Sequence, residues 1–199
     1  CNEKLRDMRI RDKIKKPQRP VVAYEILPPR EKDGTLNAYA ETISSLLSQT
    51  HIDAINIPEV HDEVGRGERP VSNQERGEPR KFGMLLQDIV GIEAIVNRVV
   101  VHMPLKKQME WIQETYSKYE IDNLIIVGGE SSKQKYPGPT VNESLEKISQ
   151  DNRRLENSIL CGGICIPSRR KESKNLIRKS ECGAEFFTTQ VLCDSDNII

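Results

Sequence analysis

Val21-Val22-Ala23-Tyr24-Glu25-Ile26-Leu27-Pro28-Pro29-Arg30 is a short apolar run that carries one acid and is stopped by two prolines. Residues 21–27 are β-branched and apolar on both faces, the composition of a central strand in a parallel sheet. Pro28 and Pro29 have no amide N–H and cannot continue a ladder, so the strand stops just after Glu25. A carboxylate on a rigid strand end is well placed for chemistry. The residue types alone leave a second reading open, an interior or edge acid held by a neighbouring Lys or Arg.

Downstream, apolar runs and amphipathic stretches alternate. A stripe of Leu36, Ala40, Ile43 and Leu47 follows Gly34-Thr35 and marks a helix. Residues 52–57 form the next strand, which ends in Pro58-Glu59. The polar segment 60–80 holds too many charges, Arg76 and Arg80 among them, to be buried, and reads as a long loop before a helix over 82–90. A third strand over 92–101 is interrupted by Asn97 and Arg98, and the helix after it shows Leu105, Met109, Ile112 and Tyr116 on one face, with Trp111 beside them in a packing role. Residues 124–127 make the clearest strand, closed by Gly128-Gly129-Glu130, where glycine lets a ligand approach the backbone. Thr140 and Glu143 form a capping box ahead of Val141, Leu145 and Ile148. A fifth strand over 158–166, a helix over 169–181 ending at Gly183, and a sixth strand over 186–192 complete the chain.

Six strands alternating with helices, with no hairpin signal between them, require a parallel sheet. It is either an open doubly wound sheet or about six units of a (β/α)8 TIM-type barrel, and in both the ligand binds at the carboxyl ends of the strands. Glu25, Glu59, Glu130 and Gln190 all fall at such ends, which points to one polar site.

The totals narrow the partners. At 199 residues the chain supports one well-buried domain, here residues 21–199, preceded by a basic helix or arm over 1–20 in which Leu5, Met8 and Ile14 are spaced for a helix. Lys plus Arg equals Asp plus Glu at 30 each, so no global field draws in nucleic acid or an anionic membrane, and the basic arm has no aromatic residue to stack a base. No run is long and apolar enough for a membrane span and no signal sequence opens the chain, which reads as cytoplasmic. The five cysteines, odd in number and without a CxxC pair, read as reduced thiols; Cys161 and Cys165 share a strand face but a metal would need further ligands. Cys1 at the start, and Ile199 directly after a strand-like run, suggest a fragment whose open barrel edges would associate or form a homo-oligomer.

Ala23-Tyr-Glu-Ile-Leu-Pro-Pro-Arg30 resembles the Phe-Glu-Phe-Phe-Pro-Pro signature on the first strand of methylenetetrahydrofolate reductases, flavin-dependent eight-stranded barrels. Val127-Gly-Gly-Glu130 with the Tyr136-Pro-Gly-Pro139 loop is similar to that family's Arg-Gly-Asp or Thr-Gly-Asp corner after strand four, and Cys182-Gly-Ala-Glu-Phe-Phe-Thr-Thr-Gln190 to its sixth strand. The likeness runs from Val21 to the end in the family's order.

The resemblance implies reduction of 5,10-methylenetetrahydrofolate, or a related tetrahydropterin, to the 5-methyl form, with NAD(P)H as donor and FAD as carrier. Hydride adds only after the five-membered ring opens to an N5 iminium, which requires a proton at N10. A carboxylic acid raised by burial can supply it, and by resemblance that acid is Glu25. Glu130 and Gln190 take the positions of substrate contacts. Glu59, Gly128, Gly129 and either Asn97 or His102 take flavin positions; Arg169, with Arg170 and Lys171, is a candidate to hold a pyrophosphate, the other reading being a solvated charge run at a helix start. Departures lie on the flavin side: Gly162 or Gly163 and Ile166 stand where the family has Tyr and His, and Ile177 stands where a Lys is usual. A non-catalytic or methyl-transfer partner that keeps the tetrahydropterin pocket is therefore the alternative, and a βα barrel for a phosphorylated substrate is a third.

Overall fold

The structure, a computed structural model, describes residues 9–60, 76–129, 134–155 and 159–190. The chain divides into two compact units, Cys1–Asn97 with Ser117–Ile121, and Arg98–Tyr116 with Asp122–Ile199.

The first unit opens with α1, Ile10–Lys15, at whose start Ile10 is buried. The expected stripe of Leu5 and Met8 lies outside the described residues. Strand β1 is Ala23–Glu25 and pairs in parallel with β2, Ala54–Ile57. It stops at Glu25, as the two prolines require. All three of its residues are exposed, so it is not the covered central strand that its composition suggested. Past its end, Arg76 Nη1 and the Gly77 amide bond to the carbonyls of Pro28 and Pro29, both at 2.9 Å.

Helix α2, Leu36–Leu47, begins where Thr35 Oγ1 accepts from the Ala38 amide, and buries Ala40 and Leu47. Helix α3, Pro79–Val90, starts earlier than its apolar pattern indicates. Pro79 has no N–H to satisfy in the first turn and Glu78 accepts from the Lys81 amide, which together make a strong start. Arg80, expected in an exposed loop, is buried: its Nε donates to Glu78 at 2.6 Å and its guanidinium lies 4.6 Å from the Tyr119 ring centre. A charged group can be buried when its hydrogen bonds are met and its planar face is stacked. Gly83 packs α3 onto the strands, with Ile57, Ala94 and Ile121 around the place of its absent Cβ.

Strand β3, Ala94–Val99, pairs in parallel with β2 and is continuous through Asn97 and Arg98, against the expected break. The polar pair is tolerated because the two side chains point to opposite faces. Arg98 is buried in the second unit, where Nε donates to Gln108 Oε1 at 2.9 Å and the guanidinium lies 4.2 Å from the Trp111 ring centre. Gln108 Nε2 in turn donates to the Val100 carbonyl. Helix α4, Leu105–Tyr119, accordingly buries Gln108 and Thr115 beside Ile112; of the rest of the expected stripe, Met109 and Tyr116 are half-buried and Leu105 is exposed.

Strand β4, Asn123–Val127, pairs in parallel with β5, Leu160–Cys165, and β5 with β6, Phe186–Thr189. The Thr140–Glu143 capping box forms as expected, with Glu143 Oε2 accepting from the Thr140 amide at 2.7 Å and Thr140 Oγ1 from the Glu143 amide at 3.3 Å. These bonds hold the Glu143 carboxyl below its ordinary value. The capped helix α5, Val141–Leu155, buries Leu145 and Ile148. Helix α6, Glu172–Glu181, is followed by Gly183 at φ 115°, a conformation that glycine adopts without strain. No helix among the described residues is long and apolar enough to cross a membrane.

Candidate functional site

Glu25 is the last residue of β1, and Asn56 Nδ2 donates to its Oε2 at 3.0 Å. Register explains the pairing: Glu25 stands opposite Asn56, and Asn56 opposite Ile95, so these side chains share a face. Asn97, two residues beyond Ile95, returns to the same face. Ile55, Ile57, Ala94 and Val96 point the other way, and α3 packs on that side through Gly83. The carboxyl ends of the first three strands thus carry a row of polar side chains on the face away from α3. Glu25 is exposed, so this unit's described residues do not supply the burial expected around it. Oδ1 of Asn56 and Oδ1 of Asn97 are buried and have no hydrogen-bond partner among the described residues.

Asn56 was not singled out from the sequence. Its signal is there, a polar residue between Ile55 and Ile57 two positions before Pro58, but that pattern is also what a solvated strand shows. Glu59 lies two residues past β2 and is half-buried.

In the second unit, His102 ends a 3₁₀ turn, Val100–His102, beyond β3, and meets the Tyr136 ring edge-on at 5.7 Å between centres. Asn97 is the residue of this pair that lies within a strand. Gly128 and Gly129 follow β4, but the room at Gly129 is taken by the Tyr136 ring, which a Cβ there would strike. Gly162 plays the same part for Phe186, whose ring would lie 2.5 Å from a Cβ at that position. Arg169 is exposed and pairs with Glu172 at 3.5 Å. Burial pushes the Glu172 carboxyl up, but Asn175, the Ile166 amide, Lys179 and Arg169 outweigh it and hold it below its ordinary value. Lys179 donates to the Ile164 carbonyl, and burial lowers its ammonium despite Glu172 nearby. Gln190 follows β6 and is exposed. Glu130 lies outside the described residues. Among the described residues, no cluster of His, Cys, Asp or Glu could hold a metal, and Cys161, Cys165 and Cys182 form no disulfide.

No family model and no curated protein matches the chain by sequence. Solved structures do match by fold. An uncharacterized protein from Clostridium thermocellum that binds two copies of 5-methyl-5,6,7,8-tetrahydrofolic acid is similar with a TM-score of 0.69 and 20% identity, over 94% of this chain and 60% of that one. A 2,3-dimethylmalate lyase of the PEP mutase/isocitrate lyase superfamily is similar with a TM-score of 0.60 and 12% identity, over 94% of this chain and 64% of that one. The fold is of the TIM-barrel type, with six parallel strands in this chain, which excludes the doubly wound alternative. The chain spans less than two thirds of the length of either structure.

Proposed function

We propose that this chain binds a reduced folate or a related tetrahydropterin at the carboxyl ends of its strands, and that Glu25 handles a proton there. The observation that carries the reading is the Glu25 carboxylate at the end of β1, fixed by Asn56 at 3.0 Å on the face away from α3. The 5-methyltetrahydrofolate bound by the Clostridium protein of the same fold supports the ligand class.

In the reductase form of this reading, 5,10-methylenetetrahydrofolate lies with N10 against Glu25. The ligand would exclude water from the carboxyl and so favour its protonated form. Asn56 holds Oε2 as an acceptor, which leaves Oε1 to carry the proton. Transfer to N10 breaks the bridge and leaves the N5 iminium, ready to be reduced.

Flavin would supply the hydride in that form, with NAD(P)H as its source. The described residues of the second unit do not make a flavin cradle: Tyr136 fills the room at Gly129, Phe186 that at Gly162, and Arg169 is engaged by Glu172. The same filled positions favour the second reading, a tetrahydropterin-binding domain that serves a methyl-transfer system without reducing its ligand.

Calorimetric titration with 5-methyltetrahydrofolate, with and without FAD, tests the reading. Saturable folate binding that needs no flavin is the expected result. Absence of folate binding under both conditions would overturn it. NAD(P)H oxidation on adding 5,10-methylenetetrahydrofolate would select the reductase form.

A further inference from the structure

The two buried amide oxygens of the first unit, Oδ1 of Asn56 and Oδ1 of Asn97, point to what the polar row recognises. The orientation of Asn56 is set by charge. Its Nδ2 donates to Glu25, and turning the amide over would bring its oxygen against a carboxylate. Asn56 Oδ1 is therefore an acceptor directed away from Glu25. Asn97 places a second acceptor on the neighbouring strand and the same face. A buried acceptor left without a donor keeps its desolvation cost until a ligand N–H removes it.

Such a row selects N–H groups and rejects carbonyls. The pyrimidine edge of a tetrahydropterin offers a 2-amino group beside N3–H, two donor groups in succession. The corresponding edge of isoalloxazine offers a carbonyl on each side of N3–H, and would set oxygen against oxygen. We infer that Asn56 and Asn97 are specificity-determining residues that accept from the 2-amino and N3–H edge of a tetrahydropterin. The inference rests on the tetrahydropterin reading above and adds the edge of the ligand that is read and the residues that read it.

The test compares tetrahydropterin with its 2-oxo analogue, tetrahydrolumazine, in which the amino donor becomes a carbonyl acceptor. Both are titrated calorimetrically into the unaltered chain and into Asn56→Leu, Asn97→Leu and Asn97→Asp. The unaltered chain should favour the 2-amino ligand by about tenfold or more, because a site built for a donor leaves its acceptors unpaired against an acceptor. The Leu variant of the residue that accepts from the 2-amino group should bring that ratio to within about threefold, the Leu variant of the residue that accepts from N3–H should weaken both ligands, and Asn97→Asp, which keeps the acceptor, should preserve the ratio. A merely structural role of both residues would leave the ratio unchanged in both Leu variants. Equal binding of the two ligands by the unaltered chain would overturn the inference, even should the variants fail to fold, while leaving pterin binding in place. A full ratio in both Leu variants would overturn it as well. Failure of the unaltered chain to bind either ligand would instead remove the tetrahydropterin reading, and this inference with it.

Discussion

Asp53 is the junction between α1 and the base of the sheet in the first unit: Arg19 grips its carboxylate with both terminal nitrogens, at 2.7 and 2.8 Å. Lys13 reaches the same carboxylate at 3.3 Å, and the Val22 amide donates to it at 2.9 Å. Burial pushes this carboxyl up, but the Val22 amide, Arg19 and Lys13 outweigh burial and hold it below the aspartate value of 3.8. A depressed acid adds stability that is present above its unfolded value and lost as pH falls through its folded value. Asp53→Asn should cost about 3 kcal/mol at neutral pH, because it leaves two cations without their carboxylate. Urea midpoints of the variant and the unaltered chain should converge as the pH is taken below the ordinary aspartate value; a constant gap would refute the linkage.

Glu25→Gln separates chemistry from binding. The Gln side chain can still accept from Asn56, so affinity for 5-methyltetrahydrofolate should change by less than about tenfold, the loss of one charge-assisted bond at most. If the chain reduces 5,10-methylenetetrahydrofolate, turnover should fall by at least about 100-fold, the usual worth of a positioned general acid. Parallel calorimetry and NAD(P)H oxidation give both numbers, and a variant with full turnover would remove Glu25 from the proton transfer.

Gln108 serves two buried groups at once, the Arg98 guanidinium and the Val100 carbonyl. Gln108→Leu removes an acceptor from one and a donor from the other, for a cost of about 2 kcal/mol. Trp111, the only Trp in the chain, lies against Arg98 and reports the loss directly. A lower urea midpoint in Trp fluorescence is expected, and an unchanged one would show that Arg98 is held by other means.

Thr140→Ala should destabilise the start of α5 by about 1 kcal/mol, since the hydroxyl caps the Glu143 amide. Faster amide exchange confined to the first turn, with the rest of the helix unaffected, would be the signature.

The strand and helix order was legible because proline, glycine and capping residues punctuate this chain clearly. Pro28-Pro29 ended β1 where expected, Thr140–Glu143 started α5, and Gly183 followed α6. What failed concerned polar residues whose burial depends on partners distant in sequence. Arg80 is buried because Glu78 and Tyr119 converge on it, and Tyr119 lies 39 positions on. Arg98 did not break β3 because Gln108 and Trp111 receive it. In the candidate site, Glu25 was marked by its place before two prolines, whereas Asn56 acquires meaning only from the register that sets it opposite Glu25.

Gly138 is pinned between segments: its amide donates to the Val101 carbonyl at 2.8 Å, and backbone atoms of Val100, Val101 and Met103 crowd the place of its absent Cβ. One atom of side chain is more than this point can take. Grafting and loop-exchange in the β4–α5 connection therefore have a fixed anchor at residue 138 and freedom at 134 and 135, which are exposed. A designer who wished to lengthen this segment should insert before Tyr136 and leave the glycine where it is.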